Sequence, residues 1–221
     1  AALEKGAVPP ADDVREVLEP LQDWHYAGFE SRFRGRRPDI KTELASYLPY
    51  FPKNGRVLDL GCHPGSWSLY AAQVVGAKGL VVGVDLQRTD LPAQKGHAEI
   101  HWLCYDVYDE QLIALLKKEW HGFHVLLSDM APRTTGSQYA DHQQSMRLVQ
   151  RAMELAGALL HENGTFYCKA FQGEDFPAVL QESKALFREV RVVKPDSSRK
   201  ESREVFLLGR GFLPGNARAQ Q

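Results

Sequence analysis

The sequence predicts an open α/β fold, with a mostly parallel, seven-stranded sheet and helices on both faces. Three observations predict it. From Asn54 onward, short apolar runs alternate with stretches of helical periodicity. The run Leu80-Val-Val-Gly-Val-Asp-Leu86 is almost continuously apolar, which suits a strand buried on both faces. The run before it, Arg56 to Leu60, breaks into a turn carrying Gly61, Pro64 and Gly65 and recovers as a helix. Strand, tight glycine turn and helix form the first unit of an open sheet, and ligands bind at the carboxyl ends of such strands.

Taken in order, residues 1–40 read as an extension. Ala11 to Leu21 can form a short helix bracketed by Pro9, Pro10 and Pro20, followed by an aromatic and basic stretch from Trp24 to Arg37. A helix beginning at Pro38 or Asp39 carries Ile40, Leu44 and Leu48 on one face and runs through Tyr47. Strand one is Arg56 to Leu60. A helix from about Trp67 to Val75 stops at Gly76. Strand two is the Leu80 run, and strand three is Ile100 to Tyr105. A helix covers Glu110 to Glu119, and strand four is Phe123 to Ser128. The longest helix runs from about His142 to His161, with Met146, Val149, Met153, Ala156 and Leu160 as a core stripe and Asn163-Gly164 as its stop. Strand five is Thr165 to Ala170, a helix spans Asp175 to Phe187, strand six is Val190 to Val193 and strand seven is Glu204 to Gly209. Residues 41–212 form the main domain, and 213–221 read as a frayed tail.

Composition narrows the classes. The chain has 221 residues, 43% hydrophobic and 25% charged, as in a soluble globular protein. No apolar run approaches the ~18 residues of a membrane span. No apolar stretch flanked by positive charge opens the chain, so no secretory signal is expected. The absence of an initial methionine predicts a trimmed or processed chain. Cys62, Cys104 and Cys168 are odd in number and lack CxxC spacing, which argues for reduced thiols in a cytoplasmic compartment and against a metal site. Net charge is −1. A nucleic-acid enzyme is usually more basic, but two basic clusters stand out. One holds Arg32, Arg34, Arg36, Arg37 and Lys41; the other holds Lys194, Arg199, Lys200 and Arg203.

Asp59, Asp85, Asp106 and Asp129 fall at or near the ends of four consecutive strands. A single acid there is often a helix N-cap. Four on one edge repel one another unless a ligand with hydroxyls, amino groups and a positive charge meets them. A nicotinamide dinucleotide calls for GxGxxG and an acid about 20 residues on. Asp85 does lie 20 residues after Gly65, but Cys62-His63 stands where the pyrophosphate needs a bare backbone. S-adenosylmethionine (SAM) has no phosphate. Asp85 can accept from its ribose and Asp106 from its adenine amino group, while the Gly61–Gly65 turn makes room for its methionine part.

The motifs Asp59-Leu-Gly-Cys-His-Pro-Gly-Ser-Trp67, Ser128-Asp-Met-Ala-Pro132, Lys169-Ala-Phe-Gln-Gly173 and Lys194-Pro-Asp-Ser-Ser-Arg-Lys-Glu-Ser-Arg-Glu-Val205 resemble the FtsJ-like ribosomal RNA 2′-O-ribose methyltransferases. The resemblance runs from about Lys41 to Phe212. It implies a Rossmann-like class I methyltransferase fold, SAM as cofactor and a Lys-Asp-Lys-Glu tetrad matched by Lys41, Asp129, Lys169 and Glu204. It also implies cofactor contacts from Gly61, Gly65, Ser66, Trp67, Asp85, Leu86, Asp106, Val107 and Asp129. Cys62-His63 and Ser66 depart from the small residues the family carries there. His63 is expected as a loop residue lining the cofactor pocket.

The tetrad makes chemical sense. A ribose hydroxyl is a poor nucleophile and must lose its proton as it attacks. A lysine can take that proton if burial and a second cation bring its pKa down from ~10.4. Lys41 and the sulfonium are placed to do this for Lys169, leaving orientation to Asp129 and Glu204. The leading reading is therefore an RNA 2′-O-methyltransferase acting on large-subunit, 23S-type ribosomal RNA. It is expected to be cytoplasmic and monomeric, to use neither metal nor membrane, and to contact RNA through the two basic clusters. The alternatives are a catalytically silent RNA-binding or ribosome-associated module, an enzyme for tRNA or an mRNA cap, and a small-molecule O-methyltransferase. The basic clusters speak against the last, because a small neutral acceptor has no use for them.

Overall fold

The computed structural model describes residues 51–132, 135–194 and 202–217. Lys41, Arg32, Arg34, Arg36, Arg37, Arg199 and Lys200 lie outside these residues, as do the expected helices before Phe51. In chain order the elements are β1 (Arg56–Leu60), α1 (Ser66–Val75), β2 (Leu80–Asp85), β3 (Glu99–Cys104), α2 (Gln111–Trp120), β4 (Phe123–Ser128), α3 (Gln138–Leu159), β5 (Leu160–Phe171), α4 (Phe176–Leu186), β6 (Phe187–Val193), β7 (Glu204–Phe212) and α5 (Pro214–Ala217). The seven strands form one sheet in the order β3-β2-β1-β4-β5-β7-β6. All pairings among β1 to β5 are parallel, and β7 runs antiparallel between β5 and β6.

Period-two alternation divides the core between the two faces. Val57, Val81, Val125, Leu127, Tyr167, Phe206 and Leu208 pack with Tyr70, Ala71, Val74 and Val75 of α1. Their neighbours Leu58, Leu60, Val82, Val84, Leu126, Phe166 and Leu207 pack on the other face against α2, α3 and α4. A strand buried on both faces reads as a continuous apolar run, which is why β2 carries Val81, Val82 and Val84 at 0% exposure. On the second face Phe166 stacks on Phe187 at 5.6 Å, and Phe187 meets Phe212 at 5.6 Å.

Several elements are longer than the sequence reading has them: the long helix opens at Gln138, β6 at Phe187, and β7 runs on to Phe212. Asn163-Gly164 does not end the long helix. That helix stops at Leu159, β5 already begins at Leu160, and Asn163 sits inside β5 with φ 64. Leu160 pairs with Phe123, and the register then shifts before Thr165 pairs with Val125. The left-handed Asn163 thus absorbs an irregularity in a strand, a role for which Asn and Gly are as suitable as for a helix end. At the tail, Pro214–Ala217 form a short helical turn. Among the described residues, no helix is long and apolar enough to cross a membrane.

Candidate active site

The site lies at the carboxyl ends of β1 to β5, around the point between β1 and β4 where strand order reverses, the usual position for a ligand crevice. The turn after β1 supplies its floor. Gly61 and Gly65 take φ values of 74 and 116, which side-chain-bearing residues rarely adopt. A Cβ on Gly61 would stand 2.9 Å from the Met130 backbone nitrogen. The turn is tied down by Gly61 N and Cys62 N, which both donate to Val84 O, at 2.8 and 3.3 Å. Cys62 is buried over Gly83, where a Cβ would fall 2.9 Å from its Sγ. Burial, with Asp59 and Asp85 nearby, pushes its thiol far up, so Cys62 is inert packing. Cys168 is also buried and its thiol is pushed up to about 12 by desolvation. His63 is braced by Thr89, whose Oγ1 lies 3.2 Å from Nδ1.

The same turn orients Asp85. His63 N donates to Asp85 Oδ2 at 3.0 Å, and Gln87 N donates to Oδ1 at 2.8 Å. Each oxygen keeps a further lone pair for a ligand hydroxyl. Asp106 is exposed and accepts from Tyr108 N at 2.9 Å through Oδ1. Leu86 is 64% exposed beside Asp85, an apolar surface at the end of β2. Val107 is buried in the core, and its carbonyl accepts from Arg151 Nε at 2.6 Å. Ser66 opens α1. Trp67 follows it and packs on the core, its ring 5.9 Å from Tyr167 and 6.3 Å from Phe206. Asp59 is fully buried and accepts from Ser68 Oγ at 2.5 Å, which ties β1 to α1.

Lys169 and Asp129 come together. Asp129 leaves β4 with its amide donating to Leu60 O at 3.1 Å. Lys169 Nζ lies 2.9 Å from Asp129 Oδ1, with side-chain exposures of 10% and 16%. Lys169 pairs in register with Phe206, and Phe171 with Glu204. Alternation therefore puts Lys169, Phe171 and Glu204 on one face of the sheet. Glu204 borders an open hollow of about 350 Å³ with Gln138, Asp141, Phe171, Ser202 and Arg203. Two expected RNA contacts have internal partners. Lys194 Nζ donates to Ser202 O at 3.1 Å, and Arg203 Nη2 donates to Gln138 Oε1 at 2.7 Å.

Sequence reasoning missed Ser68, Thr89, Gln138, His142 and Ser145. Their residue types and spacing resemble any helix or loop, and their partners are remote in the chain.

These residues suit SAM. The acids at the ends of β2 and β3 are held by backbone amides with acceptor capacity to spare. The strand order with an antiparallel β7, the glycine turn and Asp85 define a class I SAM-dependent methyltransferase. The FtsJ-like methyltransferase family profile matches residues 42–212, and the chain belongs to that family. A ribosomal RNA large subunit methyltransferase E of Desulfotalea psychrophila is 47% identical over 156 residues, covering 71% of this chain and 78% of its own. A protein of the same description from Bdellovibrio bacteriovorus is 41% identical over 197 residues, covering 87% and 97%. Among solved structures, a Plasmodium falciparum chain described as a ribosomal RNA methyltransferase superposes with a TM-score of 0.67 at 22% identity, covering 82% and 99%. Aeropyrum pernix fibrillarin, solved with natively bound SAM, superposes at 0.50 with 14% identity, covering 72% and 68%. At those identities the structural likenesses concern the fold.

Proposed function

We propose that this protein methylates a ribose 2′-hydroxyl in large-subunit, 23S-type ribosomal RNA, with Lys169 as the general base. The observation that carries the base assignment is the Lys169–Asp129 pair, 2.9 Å apart, nearly buried and beside the cofactor turn. The relatives, described as ribosomal RNA large subunit methyltransferases, support the RNA class.

When bound, SAM supplies a methyl group on a cationic sulfur, and the C–S bond breaks as the new C–O bond forms. Asp85 accepts from the ribose hydroxyls of the cofactor and Asp106 from its adenine amino group. Lys169 Nζ receives the proton of the attacking 2′-hydroxyl. Asp129 fixes the direction of Nζ. Glu204, on the same face, approaches the acceptor ribose from β7. Lys41 completes the tetrad. Alignment of hydroxyl, methyl carbon and sulfur contributes the rest of the rate.

Arg32, Arg34, Arg36, Arg37, Lys194, Arg199, Lys200 and Arg203 hold the RNA backbone. Affinity should then fall with salt, with a log–log slope of about −0.7 for each single-strand phosphate contact. A flat response sinks that assignment.

The test is transfer of labelled methyl from SAM into large-subunit RNA, free and in assembled particles. It is paired with mapping of 2′-O-methyl sites in a strain lacking the protein. One missing ribose methyl that the purified protein restores supports the reading. An unchanged map overturns it. Absence of SAM binding at high micromolar concentration would favour a silent RNA-binding module.

A further inference from the structure

β4 and β5 pair only as far as Ser128 and Cys168. There β4 ends and Asp129 turns away, while β5 continues for three residues that carry Lys169 and Phe171. On the other side β5 keeps its partner, since Ala170 pairs with Val205, Phe171 with Glu204, and Gln172 N donates to Arg203 O at 2.8 Å. The amide and carbonyl of Phe171 point the opposite way, into the space β4 has left. Buried backbone groups need partners, and α3 provides both. Phe171 N donates to Ser145 Oγ at 3.0 Å, and Phe171 O lies 3.1 Å from His142 Nδ1. His142 and Ser145 are three residues apart, hence on one face of α3.

The ring of His142 is fixed at its other nitrogen too. A carbonyl can only accept, so Nδ1 carries the proton. Asp175 meets Nε2 from two sides, its amide nitrogen at 3.2 Å and its carboxylate Oδ2 at 3.4 Å, while Nδ1–H is committed to Phe171 O. His142 is 4% exposed, and Gly173 makes its position possible: a Cβ there would fall 2.5 Å from Nδ1. One imidazole thus spans the carbonyl of Phe171 and the amide of Asp175, holding the exit of β5 to α3.

We infer that His142 and Ser145 are positioning residues for methyl transfer. They replace the missing strand beside Phe171 and so set where Lys169 and Glu204 stand relative to Asp129. The inference rests on the reading of Lys169 as proton acceptor. A side chain displaced by about 1 Å can lose on the order of 100-fold in rate, so a clamp two residues from Lys169 acts on turnover. Apart from Asp129, the proposed SAM contacts follow β1, β2 and β3 and are left alone.

Three variants test this: Ser145→Ala, His142→Leu and His142→Asn. The Asn amide nitrogen can donate to Phe171 O as Nδ1 does. Expected results are a kcat about 10-fold lower for Ser145→Ala and about 10- to 100-fold lower for His142→Leu, with the KM for SAM unchanged. His142→Asn should recover most of the loss. Amide hydrogen exchange at Phe171 should speed up at least about 10-fold in Ser145→Ala, while amides of β1 and β2 keep wild-type rates. Wild-type kcat in both Ser145→Ala and His142→Leu overturns the inference, as does a loss in Leu that Asn does not relieve. Exchange at Phe171 reads the clamp without any RNA. A wild-type protein that fails to methylate RNA therefore counts against the proposed function and leaves this readout intact.

Discussion

The two edges of the sheet are built from different materials. The carboxyl edge carries Asp85, Asp106, Asp129, Lys169 and Glu204. The amino edge carries Arg56, and beside it His124, His161, Arg188 and Arg210 line a hollow of about 510 Å³, larger than the one beside Glu204. Size does not mark the active edge; the use of hydrogen-bonding capacity does. At the amino edge the groups satisfy one another. Arg56 N donates to His124 Nδ1 at 3.0 Å, and its guanidinium lies 2.9 Å from His161 Nε2. Arg210 pairs with Glu189 at 3.0 Å. At the carboxyl edge, Asp85 holds one backbone donor on each oxygen and faces outward with the rest. Orientation by backbone amides, with outward lone pairs left over, is what a binding edge needs. Mutual pairing is what a structural edge needs.

The largest expected effect lies at Lys169. Lys169→Ala should lower kcat by ~10²–10⁴ while SAM affinity stays within a few-fold, the range for losing a general base. Single-turnover methylation beside a SAM titration reads both, and wild-type turnover would remove Lys169 from the mechanism. Asp85→Ala comes next. Loss of a charged acceptor costs about 1.5–3 kcal/mol, roughly a 10- to 150-fold weaker Kd for SAM by calorimetry. An unchanged Kd would mean that the end of β2 is not the ribose site.

Ser68→Ala probes structure at the active edge. It strips a 2.5 Å hydrogen bond from the fully buried Asp59, so stability should fall by about 1.5–3 kcal/mol in urea unfolding. A midpoint within error of wild type would show that Asp59 is otherwise satisfied.

The smallest effect belongs to the amino edge. Burial first, then neighbouring positive groups, lower the imidazole pKa values of His124 and His161. Both rings accept hydrogen bonds from Arg56 and must be neutral to do so. Folded-state values below the unfolded ~6.5 mean that the unfolded chain takes up more protons as pH drops. Their contribution is present above about pH 6.5 and is lost as pH falls through the folded values. A double variant, His124→Asn with His161→Gln, keeps acceptors and removes the titration. Its stability should fall less between pH 7.5 and 5.5 than that of wild type. His97, lowered by burial, adds the same sign in both proteins and leaves a residual slope. Equal slopes would free the amino edge of any role in acid sensitivity.

Much of the fold is legible in the chain because the signals are local. β1 and β4 fall where apolar runs mark them, and Gly76 ends α1. The departure at Cys62-His63 is legible only in three dimensions. Cys62 fills the space above Gly83, and His63 serves Asp85 through its backbone amide while Thr89 braces its ring. The Asn163-Gly164 pair shows the limit from the other side. A left-handed residue followed by glycine marks a break but not its kind, and pairing of Leu160 with Phe123 decided it.

By itself the sequence determined the alternation of strands and helices, the glycine turn and the acids at successive strand ends. Period-two and period-3.6 patterns and turn chemistry act over a few residues, and so they can be read along the chain. Only the tertiary structure decided that β7 inserts antiparallel between β5 and β6 and that Lys169 Nζ meets Asp129 across 40 residues. It alone showed α3 taking the place of β4 beside Phe171. Those pairings depend on where one strand stops relative to its neighbour, and hydrophobic pattern carries no information about that.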